Sequence, residues 1–107
     1  MPTTNLPSTL VEVVLEALNR HVPEREIRVM GSRAEGRGKP FSDLDLVVMG
    51  GEPLSLRALG QLRHAFDDSR LPFTVDIIEW ASCSDAFRRV IAVRAKLFKS
   101  ATLAPQR

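Results

Sequence analysis

The chain predicts an α/β (α+β) domain, a small mixed β-sheet flanked by helices. Three observations carry this expectation. Apolar residues recur with helical period in three separate stretches. Short apolar strands, Ile27-Arg28-Val29-Met30 and Leu44 to Met49, lie between them. Carboxylates interrupt two of the strand-like runs where a core residue is otherwise expected. The 107 residues suffice for one compact core, so residues 1–107 are expected to form a single domain with its core at about 8–99. Apolar residues make up 44% and charged residues 26%, which excludes disorder as the state of the whole chain.

Taken in order, the first helix is expected from about Thr9 to His21. There Leu10, Val11, Val14, Leu15 and Leu18 share a face, and Thr9 with Glu12 fits a capping box. Pro23 closes it, and Ile27–Met30 reads as a strand running into Gly31-Ser32. The segment Arg33 to Pro40, rich in Gly, Arg and Lys, reads as a loop or a short helix followed by a loop. Leu44 to Met49 is the clearest buried strand. A second helix is expected over about Leu54 to Ser69, and Phe73 to Ile78 alternates as a strand containing Asp76. A last helix is expected over about Ser84 to Lys99, with Phe87, Val90, Ile91 and Phe98 on one side. Residues 1–7 and 101–107 carry little pattern and are expected to fray.

The chemistry concentrates in Gly31-Ser32-Arg33-Ala34-Glu35-Gly36 and Ser42-Asp43-Leu44-Asp45-Leu46. On a strand, Asp43 and Asp45 point to the same side, ~6–7 Å apart. Two such carboxylates repel each other, and a divalent cation between them turns repulsion into binding. Asp76 interrupts Phe73-Thr74-Val75-Ile77-Ile78. If its strand lies beside the other, three carboxylates converge as in a two-metal phosphoryl-transfer site. Gly31 lets the backbone approach a ligand, and Ser32 offers a hydroxyl and an N–H to a phosphate. A helix starting there would add a favourable dipole, while Arg33, Arg37 and Lys39 bring positive charge. Together these features suit a Mg-nucleoside triphosphate.

These two segments resemble the signature of the DNA polymerase β-type nucleotidyltransferase superfamily, and in particular the minimal nucleotidyltransferases. The resemblance spans about residues 8 to 99. Glu35 departs from the basic residue that many minimal members carry there. The resemblance implies the nucleotidyltransferase fold and transfer of a nucleoside monophosphate from a triphosphate to an acceptor hydroxyl. It further implies Asp43, Asp45 and Asp76 as catalytic and metal residues for two Mg²⁺. Gly31 and Ser32, with Arg33 and Arg37, would bind nucleotide. Minimal members often pair with a HEPN-family ribonuclease as toxin and antitoxin, which makes ATP the expected donor and a hydroxyl of a HEPN-type toxin the expected acceptor. An inactive antitoxin that blocks its partner by binding alone is the competing reading. A transferase modifying small alcohols is disfavoured because no acceptor-binding domain is evident.

The remaining residues bound the partners. A net charge of +2 does not demand nucleic acid, and no direct nucleic-acid binding is expected. Cys83 is the single cysteine, and no stretch reaches the ~20 apolar residues of a membrane span, so a cytoplasmic location is expected. Homo- or hetero-oligomers are left open. Trp80, His21, His64 and Cys83 are expected to serve packing or surface roles, Ser42 to fix the turn before the strand, and Glu79 to face away from Asp76.

Overall fold

The computed structural model describes residues 6–102. The order of elements is α1 (Ser8–His21), β1 (Ile27–Met30), β2 (Leu44–Val48), α2 (Leu56–Asp67), β3 (Val75–Glu79), a 3₁₀ turn (Trp80–Ser82), α3 (Asp85–Arg94) and β4 (Lys96–Lys99). The strands form one sheet in the order β3-β2-β1-β4. β1 runs antiparallel to both β2 and β4, and β2 runs parallel to β3. Parallel neighbours require a long crossover, which α2 supplies. The sheet is therefore mixed, as expected.

Alternation along the strands divides the sheet into two faces. Ile27, Val29, Leu44, Leu46 and Val48 turn toward one side and form the core with Val14, Leu18, Leu62 and Phe66 of the helices. Val75 and Ile77 of β3 pack against the same cluster. The intervening residues, among them Asp45 and Asp76, face the other side. α1 and α2 thus cover one face and leave the acidic row on the opposite one. Val47 and Ile91 are buried outside the main cluster.

Several expectations change in detail. α1 begins at Ser8, and Pro7 holds the N-cap position without a side-chain cap, so the Thr9–Glu12 capping box does not form. Pro7 suits this position because its fixed φ leads into the helix, and its carbonyl accepts the N–H groups of Leu10 and Val11. α2 is shorter than expected. Ser55 caps it, accepting the Ala58 N–H at 3.0 Å. β3 spans Val75–Glu79 rather than Phe73–Ile78. Leu6 packs against the core rather than fraying, whereas residues 1–5 and 103–107 lie outside the described residues.

The largest difference is the last helix, which ends at Arg94. Ala95 is extended (ψ 146°), and Lys96–Lys99 becomes the fourth strand. A helical pattern through Phe98 is overridden because β1 needs a second hydrogen-bonded neighbour. The buried Lys99 ammonium also donates to the carbonyls of Pro23, Arg25 and Ser100 at 3.2, 2.7 and 3.1 Å. Phe87 and Val90 consequently stand partly exposed at 38% and 39%, while Ile91 and Phe98 are buried on different elements. Among the described residues, no helix is long and apolar enough to cross a membrane.

Leu46 sits fully buried on an interior strand, in the same core cluster as side chains of both covering helices. Leu46→Ala is expected to destabilise the fold by about 2–5 kcal/mol, read from the urea midpoint at unchanged slope.

Candidate active site

β2 and β3 pair in a register that sets Asp45 directly opposite Asp76, and β1 sets Met30 opposite Asp45. Residues opposed across neighbouring strands share a face, with the strands about 4.7–4.9 Å apart. Asp43 lies one residue before β2 and is exposed, as is Asp76, while Asp45 between them is half-buried. Partial burial pushes the Asp45 carboxyl above its ordinary range. The Asp76 charge and a hydrogen bond shared with it push further in the same direction, and Asp43 adds to the effect. Among the described residues, no ion pair involves any of the three. Three carboxylates are thus gathered without a protein cation to offset them.

Among the described residues, no three acidic, His or Cys side chains form a ready-made metal cage. The register brings Asp45 and Asp76 directly together, and Mg²⁺ is usually held by one or two carboxylates plus substrate phosphates and waters. The hard oxygen donors and the unrelieved repulsion at Asp45 fit such a cation. Gly31 reinforces the fit. It follows β1 at φ +83°, and a Cβ there would stand 2.7 Å from Asp45 Oδ2. The backbone turn and the central carboxylate are therefore in direct apposition, which only glycine permits.

From Gly31 the chain coils through successive turns to Arg37. Ala34 and Glu35 donate N–H bonds to the Gly31 carbonyl, and Arg37 donates to Ser32 O at 2.8 Å. Of the two forms expected for this segment, the structure shows the loop: no helix begins here, so no helix dipole faces the turn. The Ser32 N–H and hydroxyl are taken by no other group among the described residues.

The arginines separate into two kinds. Arg33, expected to contact phosphate, is instead 2% exposed. Its Nε donates to Ser42 O at 2.9 Å, and one terminal nitrogen donates to Lys39 O and Pro40 O at 2.9 and 3.0 Å. The guanidinium also lies 4.4 Å from the Phe73 ring centroid. This corrects the sequence reading. A glycine-rich basic loop reads as solvated, but its carbonyls need donors, and Pro40 has no N–H to help satisfy them. Arg37 is solvent-facing and pairs with Glu35. Glu35 is held below the usual carboxylate range chiefly by Arg37, and less by Arg94 at 3.5 Å.

Other residues take the supporting places expected of them. Ser42 Oγ accepts the Lys39 N–H at 2.9 Å and shapes the turn before Asp43. Glu79 accepts the Leu54 N–H at 2.6 Å, away from the acidic row. Arg88 lies over the Trp80 ring, and the Cys83 thiol donates to Glu79 O. His21 and His64 line a groove of about 650 Å³ between α1 and α2, whose lining includes Asp68 but not Asp43, Asp45 or Asp76. The sequence offered no signal for Phe73 as the ring beneath Arg33, since an aromatic before a strand reads simply as core.

Residues 11–98 match the family model described as the nucleotidyltransferase domain. The chain belongs to the nucleotidyltransferase domain family. This nucleotidyltransferase is 38% identical over 87 residues to a probable protein adenylyltransferase MntA of Haemophilus influenzae, covering 81% of this chain and 76% of the relative. Among solved structures, a toxin–antitoxin complex with AMP-PNP contains a chain matching with TM-score 0.69 at 22% identity, over 84% of this chain and 73% of that one. A complex of tri-AMPylated Shewanella oneidensis HEPN toxin with its MNT antitoxin matches with TM-score 0.64 at 19% identity, over 87% and 71% of the two chains. At these identities the structural likeness establishes the nucleotidyltransferase fold.

Two outcomes follow from the geometry. Gly31→Ala is expected to cost more than about 1 kcal/mol in urea denaturation, because alanine is strained at this φ and its methyl meets Asp45. The second concerns pH. Because folding raises the Asp45 pKa, the stability tied to its proton is present below the unfolded value and lost as pH rises through the folded one. Metal-free Asp45→Asn should therefore melt above the wild type at neutral pH. The difference should vanish near about pH 3, below the ordinary Asp value. Thermal melts across pH with chelator present would check this.

Proposed function

We propose that this nucleotidyltransferase is a Mg²⁺-dependent protein adenylyltransferase that transfers AMP from ATP to a hydroxyl of a HEPN-type toxin, acting as its antitoxin in the cytoplasm. The observation that carries the reading is the Asp45–Asp76 register beside the Gly31-Ser32 turn, with Asp43 adjoining it. The relative named a probable protein adenylyltransferase supports the choice of reaction. The AMP-PNP-containing complex and the tri-AMPylated HEPN toxin support the donor and acceptor classes. The chain acts as one minimal domain, and the partner completes the acceptor side.

Asp43, Asp45 and Asp76 would hold the cations, which supply charge neutralisation of the triphosphate and the leaving pyrophosphate. Gly31 and Ser32 cradle the β- and γ-phosphates through the Ser32 N–H and hydroxyl, with Arg37 adding positive charge from solvent. Asp76, on the exposed edge strand, meets the acceptor and takes the proton of its hydroxyl. The acceptor oxygen bonds to the α-phosphorus as the bond from that phosphorus to the bridging oxygen breaks, and pyrophosphate departs. Most of the acceleration comes from positioning and charge neutralisation.

The test uses ATP labelled at the α-phosphate, Mg²⁺ and the purified HEPN-type partner. Label is expected to pass to the partner, and Asp43→Asn or Asp76→Asn should slow transfer about a thousandfold or more. Neutralisation of the partner that persists undiminished in both variants, with no label transferred by the wild type, would replace this reading with binding alone.

A further inference from the structure

We infer that Arg33 is a positioning residue: its buried guanidinium pins the 39–42 loop and stacks on Phe73, and so sets the acidic row against the phosphate turn. The inference rests on the nucleotidyl-transfer reading for its catalytic consequence, although the clamp itself is a property of the fold.

Arg33 stands two residues after Gly31, within the coil that presents Ser32. Its Nε bonds to Ser42 O, the carbonyl immediately before Asp43, at 2.9 Å. One of its terminal nitrogens donates to Lys39 O and Pro40 O. The loop is further tied by the Ser42 N–H to Lys39 O at 3.0 Å and the Lys39 N–H to Ser42 Oγ at 2.9 Å. On the other side the guanidinium covers Phe73, three residues before Asp76. Thr74 O, next to Phe73, accepts the Leu44 N–H at 2.9 Å, joining the approaches to β2 and β3. One side chain therefore springs from the turn's own coil and touches the approach to Asp43 and the approach to Asp76.

The chemistry of arginine explains why this residue type serves. A planar fork reaches several carbonyls at once and lays its face on a ring, whereas a lysine ammonium does neither. Burying a guanidinium among carbonyl dipoles is a costly way to gain stability alone, since apolar residues fill such a space at less expense. What the arrangement provides is a fixed relation among three segments that share no regular hydrogen-bonded ladder. An error of ~1 Å in that relation is enough to cost a hundredfold in rate.

The experiment compares the full-length wild type with Arg33→Lys and Phe73→Leu, using Asp45→Asn as the inactive reference. Hydrogen exchange without metal or nucleotide is measured first. Arg33→Lys should speed exchange across 38–43 by about tenfold or more, while the amides of β1 and β2 stay protected. Single-turnover transfer should then fall about a hundredfold at saturating ATP, with KM for ATP changing less than about threefold. Phe73→Leu should shift both readouts the same way and less. A raised KM with unchanged exchange would make Arg33 a nucleotide contact instead. Uniformly faster exchange with a normal rate well below Tm would reduce it to a general stability element. Either result overturns the inference. Absent transfer by the wild type would count against the proposed function, and the local exchange pattern would still decide the clamp.

Discussion

The parallel pairing of β2 with β3 places two carboxylates opposite each other, an arrangement that opposes the stability of the sheet holding it. Like charges directly across a ladder repel, and here one of them is partly removed from water. The pairing persists because the other face of the same strands is strongly apolar. Leu44, Leu46 and Val48 alternate with Asp45 and are buried against α1 and α2, with Val75 and Ile77 beside them. A slip of one residue would carry every one of these side chains to the wrong face. Burial on one side thus sets the register, and the register concentrates negative charge on the other.

The Gly31 turn belongs to the same arrangement. β1 ends beside Asp45, and a positive φ at Gly31 turns the chain away without a side chain intruding on that carboxylate. Among the described residues, no other group takes the Ser32 N–H or hydroxyl, and no ion pair involves Asp43, Asp45 or Asp76. Donors that suit an anion and acceptors that suit a cation therefore adjoin, and the proposed function rests on that juxtaposition. Glu35 sits at the outer edge of the coil between Arg37 and Arg94, where its charge is offset by solvent-facing partners. Its departure from the common basic residue thus falls on the periphery of the coil.

Much of this was readable from local pattern. Helical period located α1 and α2, the strand at Ile27–Met30 has its expected bounds, and a carboxylate inside an apolar run singled out Asp76. Gly31, Ser32, Asp43 and Asp45 were legible because close chain spacing and side-chain alternation already constrain where they go. Arg33 was not. A cation in a glycine-rich loop looks solvated, and nothing local reveals that carbonyls up to nine residues away will take its hydrogen bonds. Lys96–Lys99 was misread for a related reason: its strand state comes from β1, far earlier in the chain.

The amino-acid sequence by itself therefore determined where glycine, serine and carboxylates gather in the chain and which faces of the main helices and strands are apolar, since both follow from residue type and short-range periodicity. Tertiary structure alone decided that Asp76 lies opposite Asp45, that the segment after α3 becomes an edge strand, and that one arginine turns inward to bind its own loop. Each of these depends on pairing between distant segments, where backbone groups must find partners once burial has removed water.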